Sequence, residues 1–268
     1  MSDYINRIKS YLLQEDIRDT YGFTSRLEVD FLAQGEYNKN FIIRHNSDKY
    51  VFRVNMSSQL NLDNQIEYEY NAIKCLEKSG VTPRGYFGDN SRKAFKEGVL
   101  MMNYLEGRPL DYGKDLHIAA DIFSKIHQLD TKPFSEHLIL EDALCQARVI
   151  EADGWLEEFR DSKRPRLEMK QIMEVFYAYC KNQATSTDEK FMADPWLVVN
   201  NTEVNSHNFI IGEKNSYLID WEKPVISDPV QDITQFLAPT TTLWKANYLL
   251  TDDEIDAFYE VRSEERRV

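Results

Sequence analysis

Asn201-Thr202-Glu203-Val204-Asn205-Ser206-His207-Asn208 runs into a short apolar stretch and, after a polar turn, Tyr217-Leu218-Ile219-Asp220-Trp221-Glu222 follows. The apolar runs 208–211 and 217–219 are joined by Gly212-Glu213-Lys214-Asn215, the composition of a small β-hairpin. Two acids and an amide flank that hairpin. Phosphoryl transfer from ATP needs groups of these types: an acid to orient and deprotonate the acceptor hydroxyl, and two oxygen ligands to hold Mg²⁺ against the phosphates. A polar hairpin whose Asn and Asp satisfy their own turns has the same composition, so the segment alone leaves both readings open.

The rest of the chain shifts the balance. The pattern resembles the aminoglycoside phosphotransferase family, whose catalytic loop reads HxDxxxxN and is followed by a hairpin and a metal-binding Asp in an I-D-W/F-E context. On that resemblance Glu203 stands at the catalytic acid, and Asn208 and Asp220 stand at the metal-binding Asn and Asp, without a gap between Glu203 and Asn208. Two positions depart from the pattern. Asn201 replaces the usual His, and Glu203 replaces Asp with one more methylene. Misplacing a base by about 1 Å can cost roughly 100-fold in rate, so the two changes bear on activity more than on family.

The nucleotide side resembles the family too. Gln34-Gly35-Glu36-Tyr37-Asn38 lies between two strand-like segments and is similar to a G-x-x-N phosphate-covering loop, with Gly35 expected to supply close backbone approach and positive φ. A plain hairpin turn explains a single Gly equally well. Arg53 in Tyr50-Val51-Phe52-Arg53-Val54-Asn55 interrupts an apolar run where the fold places a phosphate-binding Lys, and a guanidinium can serve phosphate and carboxylate alike. Glu69 matches the helix glutamate that holds this cation, with Glu67 as its near neighbour. Met101-Met102-Asn103-Tyr104-Leu105-Glu106-Gly107 resembles the hinge that holds adenine, with Met102, Asn103 and Tyr104 as its contacts. Asp228-Pro229-Val230-Gln231-Asp232 resembles an element that braces the catalytic loop. His127 is expected to be a packing residue, and no His pair has metal-ligand spacing.

These residues need positioning elements. Residues 4–13 carry an apolar helical stripe, and strand-like segments follow at Leu27–Ala33, Asn40–Arg44 and Tyr50–Val54 as an antiparallel meander. The pattern predicts a helix over 62–79, strands at Arg84–Phe87 and Gly98–Tyr104, then helices over 115–128, 142–160, 166–183, 229–237 and 251–262. Strands first and helices later imply an α+β fold. With the resemblance, it is protein-kinase-like: a small N-terminal lobe, 1–104, with an antiparallel sheet and one main helix, a hinge about 101–107, and a larger, mainly helical lobe, 105–268. Related chains often continue past the final helix.

Composition narrows the function. The formal net charge of −13 argues against a nucleic-acid binder. Three scattered cysteines suit a reducing compartment, and Asp3, Arg7 and Lys9 interrupt the N-terminus before any signal-like apolar run develops. No stretch approaches the roughly 20 apolar residues of a membrane span, and the chain is expected in the cytoplasm. The P-loop pattern and the Gly-x-Ser-x-Gly elbow are absent. The leading expectation is ATP- and Mg²⁺-dependent phosphorylation of a hydroxyl on an aminoglycoside, choline-like or sugar-like small molecule. The alternative is a nucleotide-binding sensor or scaffold with weak or no catalysis. Phosphorylation of proteins ranks last, because the stretch from Asp220 to Asp232 is too short for a segment that docks them. An acidic, Tyr-rich cleft beside Glu203 would mark a cationic acceptor.

Overall fold

The computed structural model describes residues 2–264. Two helices, α1 (Ser2–Leu12) and α2 (Glu15–Tyr21), precede β1 (Glu28–Gln34), β2 (Asn38–His45) and β3 (Asp48–Asn55); α3 (Gln65–Leu76) leads to β4 (Gly85–Asp89) and β5 (Gly98–Asn103). The five strands form one antiparallel sheet in the order β1-β2-β3-β5-β4.

Side chains on successive strand residues point to opposite faces, and here each face has its own partner. Tyr50, Phe52 and Val54 of β3 and Val99 and Met101 of β5 join Ile8, Tyr11 and Leu12 of α1 in one buried cluster. Leu100 and Met102 point the other way, into a second cluster with Ile66, Ile73 and Leu76 of α3. By the same alternation Arg53 lies on the α3 side of the sheet.

The second half is mainly helical: α4 (Tyr112–His127), α5 (Leu144–Asp161), α6 (Leu167–Ala193), α7 (Val230–Leu237), α8 (Pro239–Ala246) and α9 (Asp252–Glu264). Short strands sit among them. β6 (Ile139–Leu140), β7 (Val198–Asn200) and β10 (Val225–Ser227) pair in the order β6-β10-β7, and β8 (Phe209–Ile211) with β9 (Ser216–Leu218) makes the expected hairpin. The linker after β5 is docked on that hairpin: the Arg108 amide donates to the Ile211 carbonyl at 3.1 Å, and the Ile211 amide donates back at 2.7 Å. The approach is so close that a Cβ on Gly107 would stand 2.6 Å from the Ile211 carbonyl oxygen.

The pattern of the sequence misses α2, α8 and the three-residue strands β7 and β10, and it ends α6 about ten residues early. Among the described side chains of α6 only Ala184 and Asp188 are buried, so no apolar stripe announces the second half of this helix.

His127 is buried at the end of α4, where its Nδ1 lies 3.3 Å from the Arg262 guanidinium. Burial, and the charge of Arg262 behind it, lower its pKa from 6.5 to about 3, so the ring folds neutral. The unfolded chain then binds a proton that the native state refuses. Stability is fully present above about pH 6.5 and falls as pH drops from there toward 3, by up to about 1.4 kcal/mol per unit. Urea unfolding of wild type and His127→Gln across that window checks this: the variant's stability is expected to vary less, and parallel curves would refute it.

Candidate active site

Arg53 and Glu69 meet because the α3 face of β3 and the inner face of α3 converge. Glu69 is 1% exposed, whereas Glu67 on the same helix is exposed. Arg53 donates from Nη1 to Glu69 Oε1 at 2.5 Å, from Nε to Asn40 Oδ1 at 3.1 Å, and from Nη2 to Asp220 Oδ1 at 3.3 Å. Burial works against the charge on Arg53, but Glu69, Asp220 and Glu222 raise its pKa and keep it cationic. Burial also lifts the Glu69 carboxyl above the usual range, against the pull of Arg53.

The 34–38 turn is closed by the Gly35 amide donating to the Asn38 carbonyl at 2.9 Å. Gly35 does not take the positive φ expected of it; among glycines only Gly22 and Gly80 do. Nor does close packing require a glycine here, since a Cβ would meet nothing within 4 Å. Asn38 is buried and works as a strut: its Oδ1 accepts from Asn55 Nδ2 at 2.9 Å, and its Nδ2 donates to the Glu222 carboxylate. The sheet's loop is thereby tied to the segment that carries Asp220.

The 201–208 loop leaves β7 through a strained turn. Thr202 has φ +73°, unusual for a β-branched residue. Asp232 of α7, fully buried, stabilises it by accepting from the Asn201 amide at 2.6 Å and the Thr202 amide at 2.8 Å. Burial nevertheless pushes the Asp232 carboxyl up to about 7. Thr202 Oγ1 donates to the Lys223 carbonyl at 2.8 Å. Asp228 accepts instead from the Val230 amide at the start of its own helix. Asn201 uses its Nδ2 to reach the carbonyls of Ile219 at 3.3 Å and Asp220 at 2.9 Å, which fastens the loop to Asp220, itself at φ +67°. The Nδ2 groups of Asn205 and Asn208 both donate to the Glu203 carbonyl at 3.0 Å. The Glu203 backbone is therefore held while its carboxylate enters no ion pair among the described residues.

These elements enclose a cavity of about 420 Å³ lined by Gly35, Asn38, Arg53, Glu203, Asn208 and Asp220. Six residues singled out by sequence thus come together, with Glu69 directly behind Arg53. Glu222 shares the wall and was not singled out. Burial, with the nearby Asp220 charge, raises Glu222 to about 8. Burial likewise raises Glu203. The residues Met102, Asn103 and Tyr104 line neither this cavity nor its neighbour described below. The Asn103 amide donates to the Arg84 carbonyl at 3.0 Å and the Tyr104 amide to the Lys49 carbonyl at 3.1 Å, so both donors are engaged within the protein. Met102 is buried against the α3 cluster.

The donor set suits a hard cation. Asp220 offers a half-exposed carboxylate, and Asn208 Oδ1, which accepts from Asn205 Nδ2 at 3.1 Å, keeps a second lone pair. Mg²⁺ is commonly held by one or two protein oxygens with phosphate and water completing its shell.

No curated protein sequence matches the chain. Solved structures do. An ethanolamine kinase from Plasmodium vivax superposes with a TM-score of 0.64 at 13% identity, over 95% of this chain and 72% of that one. A choline kinase from Cryptosporidium parvum gives 0.62 at 15% identity, over 91% and 74%. A spectinomycin phosphotransferase, solved with ADP and spectinomycin, gives 0.51 at 15% identity, over 88% and 74%. At these identities the likeness is one of fold, protein-kinase-like with a sheet-bearing first part and a helical second part. Membership rests on the sequence model of the APH phosphotransferase enzyme family, which matches residues 28–263 and so takes in every residue of the cavity; the chain belongs to that family.

Proposed function

We propose that the protein transfers the γ-phosphoryl group of ATP to a hydroxyl of a small molecule, with Mg²⁺, in the cytoplasm and not on nucleic acid. The observation that carries this is the convergence of Arg53, Asn208, Asp220 and Glu203 on one cavity. Arg53, held by Glu69, pairs with phosphate oxygens, and Asn208 and Asp220 hold the metal ion, which neutralises charge on the transferring group. Glu203 accepts the proton of the acceptor hydroxyl as its oxygen bonds to the γ-phosphorus. The bond from that phosphorus to the β–γ bridging oxygen breaks, and ADP leaves. In this reading residues 1–104 form the nucleotide lobe, 105–268 the acceptor lobe, and adenine is held at the 101–107 hinge through carbonyls and later amides, since those of Asn103 and Tyr104 are engaged.

The substitutions at 201 and 203 do not favour the sensor alternative. Asn201 has a structural job, holding the Asp220 backbone, and Glu203 is not drawn into an ion pair among the described residues. Calorimetric titration of ATP with and without Mg²⁺ tests the assignment. Tight binding is expected only with the ion, and Asp220→Ala is expected to abolish the metal-dependent part with the fold intact. Equal affinity in both conditions would sink the reading.

A further inference from the structure

Beside the phosphate cavity lies a larger one of about 1280 Å³, bounded by α5, α6, the first turns of α7 and the Thr202-Glu203 turn. It lies at or beyond the upper end of the range for small-molecule sites, about 300–1,000 Å³. Glu203 lines both cavities. Away from Glu203 the wall is mostly apolar, with Leu156, Phe159, Met173, Phe176, Tyr179 and Phe191 among its side chains. Phe176 and Tyr179 remain 59% and 62% exposed, and Trp155, at the junction of the two cavities, 64%. Large aromatic side chains left in water around one cavity mark a place where apolar surface is to be covered.

The other charged groups at the Glu203 end are already paired. Arg148 donates to Glu141 at 2.5 Å and to Glu151 at 2.6 Å, and Lys223 donates to the same Glu151 at 2.9 Å. An acceptor bearing several ammonium groups needs several free carboxylates. Here Glu151 is held by two cations, and Glu203 faces the reacting hydroxyl.

We propose that the acceptor is an uncharged alcohol with a bulky apolar body, seated between α5 and α6 with its hydroxyl at Glu203. This rests on the phosphotransferase reading above and narrows its substrate. The test uses the full chain and a homologous series from phenylethanol to phenylhexanol, with kanamycin and choline as cationic comparisons. Dissociation constants by calorimetry are expected to fall about fourfold per added methylene. ADP release with MgATP is expected to be faster with phenylhexanol than with either cation. Phe176→Asp and Met173→Asp replace cavity residues that are 59% and 38% exposed, so folding should survive. Both variants are expected to flatten the series and leave MgATP affinity unchanged. A flat series in the wild type, a series indifferent to both variants, or preferred turnover of kanamycin or choline overturns the acceptor class. MgATP binding, titrated first on the same preparation, separates the two failures: its absence removes the phosphotransferase reading, while intact binding with a cationic preference removes only this inference.

Discussion

Glu203→Gln is expected to slow phosphoryl transfer about 100- to 10,000-fold while nucleotide affinity stays where it was. The amide keeps the shape of the carboxylate and cannot take the acceptor's proton. Nucleotide binding is expected to be spared because the proposed phosphate partner is Arg53 and the proposed metal ligands are Asn208 and Asp220, and the Glu203 backbone is fixed by Asn205 and Asn208 whatever its side chain. Burial holds this carboxyl above its ordinary 4.5. A base works deprotonated, so wild-type turnover should fall as pH drops through that raised value, and the variant's residual rate should lack the same acid limb. Single-turnover rates across pH, with nucleotide dissociation constants measured alongside, provide the check. Full turnover by Glu203→Gln would remove the base assignment.

Glu69→Ala is the second large effect, and it lies in stability. Arg53 is almost entirely buried and depends on Glu69 for its closest contact. Deleting one partner of a buried pair commonly costs about 3–5 kcal/mol, and here Arg53 would lose its closest carboxylate and keep the longer contact to Asp220 at 3.3 Å. A double replacement, Arg53→Met with Glu69→Leu, removes both charges at similar volume and is expected to recover most of that loss. It should not recover ATP binding, since the group proposed to meet the phosphates is gone. Urea denaturation of the three proteins, with ATP titration of the double variant, distinguishes the two roles. A loss under about 1 kcal/mol in Glu69→Ala would mean that the pair behaves like a surface contact.

The site was legible where chemistry leaves a residue type out of place. Arg53 breaks an apolar strand, and the same two-residue period that puts Val54 in one core puts Arg53 against α3. Glu69 could be preferred to Glu67 through the resemblance, and burial separates them. What escaped reading has physical reasons. β7 and β10 are three residues long, too short for a period to show. Asn38 reads as a turn residue, and its tie to Glu222 spans 184 positions. The ion-pair cluster of Lys223, Glu151 and Arg148 gathers side chains from β10's approach and α5, and no local pattern carries that. Of the two cavities that Glu203 lines, the larger has a chiefly apolar wall in place of the acidic, Tyr-rich one that would mark a cationic acceptor, whereas the smaller carries Glu36, Tyr37, Asp220 and Glu222.

Glu203 is not alone in belonging to both cavities; Gln59, Trp155 and Gln235 do so as well. The two chambers therefore share a partition made of side chains, and the occupants of each press on the same four groups. Such sites are linked thermodynamically. By whatever factor a bound nucleotide changes the affinity for the acceptor, the acceptor must change the affinity for the nucleotide by the same factor.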